Sequence, residues 1–186
     1  MVKILCEGVG DKKFLSRLLD YLEIDYCKDN FQIMKGKSSF FELDNYKLLS
    51  QEIDIEEVTA LLFVLDADNN DSDKKHGGYE NTSTAIEELI NNKLWQDISS
   101  VFIACDPVDK TGCLESLIYA TLPEKHQQCI DAFIDCSGKQ YGHGCKHKPI
   151  LHQIFSSVWG KPEKIETFEH QYFSELKEKL RIAFEC

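Results

Sequence analysis

Short apolar runs alternate with amphipathic stretches through residues 1–122. Val2-Lys3-Ile4-Leu5-Cys6, Phe31-Gln32-Ile33-Met34, Leu61 to Asp66 and Val101 to Cys105 are compact and rich in branched and aromatic side chains, the pattern of buried strands. Between them the apolar period changes. Asp11 to Leu22 carries Phe14, Leu15, Leu18, Leu19 and Leu22 at helical spacing, with Asp11 suited to the N-cap or first turn. Thr82 to Leu94 repeats the pattern with Ala85, Ile86, Leu89 and Ile90. Asn45 to Ile53 and Cys113 to Ala120 predict shorter helices. Strand and helix in alternation predict an α/β fold, a mostly parallel sheet flanked by crossover helices.

From Pro123 the strand signal stops. Glu124 to Cys136, Lys148 to Val158 and Gln171 to Phe184 read as helices, with a loop rich in Gly, His and Lys between the first two. The predicted division is a core over residues 1–122 and a helical extension over 123–186, packed on the core as one globular unit.

Composition narrows the setting. The formal net charge is −11, which opposes a broad basic surface for nucleic acid. Bound cations can cancel carboxylate charge locally, so chemistry on nucleic acid is not excluded. No secretory signal and no membrane-spanning run is visible, which points to the cytoplasm. Among the eight cysteines, Cys6 and Cys105 fall in predicted buried strands and Cys129 in a helix, a placement that suits free thiols in a reducing compartment.

The central run Leu61-Leu62-Phe63-Val64-Leu65 ends in Asp66-Ala67-Asp68. Ligand sites in open α/β sheets lie past the carboxyl ends of the strands. Strand residues i and i+2 face one side, so the two carboxylates are expected to converge. Such a pair is costly without a neutralising charge, and a divalent cation supplies one. Glu7 closes the first strand, ahead of Gly8-Val9-Gly10-Asp11. That turn lacks the third glycine of a dinucleotide fingerprint, since Lys13 stands there, and it has no Gly-Lys-Ser/Thr. Taken alone, Glu7 is as readily a solvated strand end, and Asp11 a helix cap.

Taken together, Glu7-Gly8-x-x-Asp11 after a first strand and Asp66-Ala67-Asp68 after a buried one resemble the TOPRIM (topoisomerase–primase) domain. The likeness covers roughly the first 120 residues and is nearest to small stand-alone TOPRIM-like proteins and the overcoming-lysogenisation-defect family nucleases. The resemblance implies a TOPRIM/Rossmann-like sheet with a magnesium-binding acidic site at Glu7, Asp66 and Asp68. Asp106-Pro107 through Gly112-Cys113-Leu114-Glu115 adds to it, and implies Glu115 and Asp106 near the metal. The alternative for Glu115 is a first-turn acid on the helix dipole. The implied cofactor is Mg²⁺ (or Mn²⁺), held by oxygen ligands. Asp11, Asp106 or Glu115 would help hold a second ion in a two-metal phosphodiester cleavage. With one ion, a lysine must meet the charge on phosphorus. Lys148 resembles a late lysine of the nuclease branch, with Lys139 and Lys146 as alternatives, and each is also an ordinary surface lysine.

The expected activity is therefore metal-dependent, nuclease-like cleavage acting on nucleic acid. The alternative is a non-catalytic cation-binding module working with a partner such as an ATPase. A receiver-type phosphoacceptor would want a lone aspartate after the middle strand and a lysine after the last, which this chain does not offer. Two further motifs point elsewhere. Cys136, His143, Cys145 and His147 have zinc-loving chemistry without Cys-x-x-Cys spacing, so a plain polar loop is the stronger reading. The loop from Asp66 lacks glycine at its sixth position and has Gly77 at its twelfth, which rejects an EF-hand.

Overall fold

The computed structural model describes residues 1–71, 73–137, 151 and 166–185. These fall into two compact units. Unit 1 comprises residues 1–65, 80–103 and 174–186; unit 2 comprises 66–79 and 104–173. The C-terminal helix α6 (Ser174–Glu185) thus groups with the N-terminal strands.

Unit 1 is built on a sheet of four parallel strands in the order β2-β1-β3-β4, so the α/β fold read from the sequence is the fold found. The strands are β1 (Val2–Cys6), β2 (Phe31–Ile33), β3 (Ala60–Asp66) and β4 (Ser99–Ala104). β1 pairs with β3 in parallel, with Ile4 opposite Leu62 and Leu5 opposite Phe63. Every residue of β3 is buried, which its unbroken apolar run requires of a central strand. Alternation then sends Leu5, Leu61, Phe63 and Leu65 to one face, where they join Ile86, Leu89 and Ile90 of α3 (Tyr79–Lys93). Tyr46, Leu49 and Trp95 complete that core beside α2 (Lys47–Asp54).

The first helix, α1 (Val9–Tyr21), begins two residues before Asp11. Gly8 is its N-cap, and Asp11 lies in the first turn with its carboxylate accepting the Gly8 N–H at 2.8 Å. Phe14, Leu15, Leu18 and Leu19 are buried, as their spacing predicts.

Unit 2 contains the loops after β3 and β4, α4 (Leu114–Ala120) and α5 (Glu124–Ser137). A small apolar cluster gathers Ile130 and Leu151 with Tyr119, Leu122 and Ile134. The helix expected over Lys148 to Val158 lies, apart from Leu151, outside the described residues. No helix among the described residues is long and apolar enough to cross a membrane.

Candidate functional site

The strand order reverses between β1 and β3, which are neighbours in the sheet. Their last register pair is Cys6 with Val64. Glu7 follows β1 directly and Asp66 is the final residue of β3. In doubly wound sheets this reversal is where ligands bind.

In unit 1, Glu7 is half-buried, and its carbonyl accepts the Gly36 N–H at 3.1 Å. Asp11, also half-buried, turns back onto the Gly8 N–H. The thiol of Cys6, the last residue of β1, is pushed up to about 12, first by burial and then by the charge of Asp11, with Lys12 opposing and Glu7 adding. A thiol in that state is inert at neutral pH.

In unit 2, the acid that closes β3 has a specific backbone partner. Asp66 is only 8% exposed, and its Oδ1 accepts the N–H of Leu114, the first residue of α4, at 2.9 Å. The residue in the usual capping position, Cys113, is a poor cap, so a carboxylate 48 residues upstream supplies the acceptor. Asp68 lies two residues on. Its backbone forms a bridge with Gly112, donating at 2.6 Å and accepting at 2.8 Å. Two tethers, Asp66 to Leu114 and Asp68 to Gly112, thus draw the two loops of unit 2 together and bring the α4 first turn, with Glu115, alongside them.

The geometry departs from the sequence reading in three places. β3 ends at Asp66, and Asp68 has φ +58°, so strand alternation does not continue to Asp68 and the expectation that i and i+2 carboxylates converge loses its basis. An aspartate tolerates this left-handed backbone better than most residues. Asp106 uses Oδ1 to accept the N–H groups of Val108 and Asp109, at 2.8 and 3.0 Å, holding its own turn. Cys113 is disulfide-bonded, against the reading of free thiols that holds for Cys6, Cys27, Cys105, Cys129 and Cys136. Its Sγ lies 3.2 Å from Glu115 Oε2, a contact rather than a hydrogen bond because a disulfide sulfur has no proton to donate.

Of the other candidates, Lys148, Lys139, Lys146, His143, Cys145 and His147 lie outside the described residues, and Cys136 is exposed near the end of α5. Among the described residues, no group of three or more His, Cys, Asp or Glu is assembled to hold a metal ion. The donor chemistry still suits a hard cation, since Glu7, Asp66, Asp68 and Glu115 all offer carboxylate oxygen.

Two lysines were missed in the sequence. Lys37, in the turn after β2, is 8% exposed. Lys110 sits in the loop that carries Gly112, with Nζ 5.7 Å from the centre of the Tyr79 ring. A lysine following a glycine just past a strand was the available signal for Lys37; Lys110 had none beyond its place after β4.

No protein-family model matches the chain, and no curated protein or solved structure matches it either.

Proposed function

We propose that the chain is a TOPRIM-like protein that binds Mg²⁺ or Mn²⁺ at its acidic strand ends and cleaves phosphodiester bonds in nucleic acid. The observation that supports this reading is topological. The strand order β2-β1-β3-β4 reverses between β1 and β3, and an acid stands at the carboxyl end of each, Glu7 after β1 and Asp66 closing β3. Glu7, Asp66 and Asp68 would hold the ion. An ion held there would supply Lewis-acid chemistry, activating water and stabilising charge on the phosphoryl oxygens. The chain's own task is to orient these carboxylates, and the Leu114 N–H does so for Asp66 by fixing one oxygen.

A second reading, a cation-binding module that acts with a partner such as an ATPase, draws support from the net charge of −11, which repels a polyanion. One experiment tests both. Mn²⁺ is titrated into wild-type protein and Asp66→Asn, followed by electron paramagnetic resonance, and labelled single- and double-stranded DNA and RNA are then offered. The enzyme reading expects Mn²⁺ binding and cleavage in the wild type and neither in Asp66→Asn. Binding without cleavage on any substrate transfers the case to the partner-dependent module. No binding at millimolar Mn²⁺ overturns the metal reading.

A further inference from the structure

Unit 1 holds a cavity of about 340 Å³ lined by Leu22, Ile24, Asp25, Arg181, Phe184 and Glu185. That size is at the small end of the range for ligand pockets, roughly 300–1,000 Å³. Topology sets it apart from the acidic strand ends. α1 leaves the carboxyl end of β1 and returns the chain so that β2 can pair parallel to β1, which puts its last turn at the amino edge of the sheet. Leu22 is the C-cap of α1. Glu23 follows with φ +57°, and this left-handed turn lets the Ile24 N–H donate to the Leu19 carbonyl at 3.0 Å. Leu22 and Ile24 are thereby fixed as a half-buried apolar wall. The end of α6 supplies the rest of the lining: Leu176, Leu180 and Ala183 are buried, while half-buried Phe184 borders the cavity.

Two helices end at this cavity, and the carboxyl end of a helix carries partial negative charge. Neither α1 nor α6 has a basic residue in its last turn to offset it. Asp25 and Glu185 add two carboxylates, and Arg181, one turn back in α6, adds a single guanidinium. The charge beside the apolar wall is therefore negative. We propose that this cavity binds a small organic cation, a protonated amine carried on a compact apolar body. The apolar body covers Leu22, Ile24 and Phe184, and the ammonium group lies towards Asp25, Glu185 and the two helix ends. An anion would meet two carboxylates and two negative helix ends, with one exposed guanidinium to hold it. A neutral apolar molecule would gain the wall alone. The site is independent of any ion at Glu7 or Asp66.

Three probes of one shape separate these classes: phenethylamine, phenethyl alcohol and hydrocinnamate, which are cationic, neutral and anionic at neutral pH. Each is titrated into the full chain at low salt and followed by the amide resonances of Leu22, Ile24, Phe184 and Glu185. Phenethylamine is expected to give saturable shifts there and to bind at least about threefold more tightly than phenethyl alcohol, since exposed charge pairs contribute modestly. Hydrocinnamate is expected to leave these resonances unmoved. Added salt should weaken the amine by screening. The double variant Asp25→Asn with Glu185→Gln should lower amine affinity by about threefold or more, and Arg181→Gln, which removes the one opposing charge, should raise it by about twofold. All three positions are exposed, and circular dichroism checks that the variants keep the fold. Equal affinity for amine and alcohol, tighter binding of hydrocinnamate, or loss of amine binding in Arg181→Gln overturns the proposal. So does the absence of any saturable shift at these residues with millimolar phenethylamine.

Discussion

The ends of β1 and β3 meet the same need at different range. Each strand runs into an acid that satisfies the N-terminus of a helix. At β1 the acid is Asp11, which accepts from Gly8 three residues away within the start of α1. At β3 it is Asp66, which accepts from Leu114 across 48 residues. The near cap is a property of one segment. The far cap is a property of the fold, and it makes a buried carboxylate useful to stability whether or not it also serves chemistry. An acid at a strand end thus serves the fold through its hydrogen bond, separately from any charge it offers a cation. What separates the roles is whether the charge matters once the hydrogen bond is kept.

The largest expected effect belongs to the β1 end and to alkaline pH. Cys6 is fully buried and its thiol is raised from 9.0 to about 12. The unfolded thiol ionises first, so its contribution to stability is intact below pH 9 and is lost as pH rises towards 12. The full contribution is on the order of 4 kcal/mol. Urea unfolding at pH 8 and pH 11 should show a steep loss in wild type and a shallower one in Cys6→Ala. Tyr46 and Tyr119, phenols whose pKa burial also raises, contribute to the loss that persists in the variant. Equal losses in both proteins would remove Cys6 from the account.

Asp66 comes next. Asp66→Ala leaves the Leu114 N–H without its carboxylate and should cost about 1–3 kcal/mol in urea unfolding. Asp66→Asn keeps an acceptor oxygen and should cost less than half as much. If the two variants are equally unstable, the negative charge and not the hydrogen bond is what the fold uses, and the contrast between the two strand ends dissolves. The smallest effect is at Asp11. Asp11→Ala removes a local capping interaction from a half-buried site and should cost about 0.5–1 kcal/mol, read in the same way. A cost above that of Asp66→Ala would invert the comparison.

The same contrast explains what the sequence could reveal. Periodicity located β1, α1, β3, α3 and β4, because Leu61 to Leu65 and Phe14 to Leu19 carry their burial pattern in consecutive residues. Asp11 was legible as a helix-start acid for the same local reason. The link from Asp66 to Leu114 was not, because nothing in either segment names the other. The left-handed backbone at Asp68 follows from its bridge with Gly112, which is also non-local, and it removed the alternation argument for the carboxylate pair. Lys37 escaped notice since burial of a lysine depends on what the fold brings near it.

The hydrogen bond from Leu114 to Asp66 also closes a loop of 48 residues. Drawing the ends of a flexible loop that long together costs about 3 kcal/mol in chain entropy before any constant term. A hydrogen bond to a charged group returns about 1.5–3 kcal/mol. The bond therefore cannot close the loop alone. In the folded chain the pairing of β3 with β4 confines both segments and supplies what the bond alone does not. The Gly8 and Asp11 pair closes almost no loop and can form in an otherwise unfolded chain.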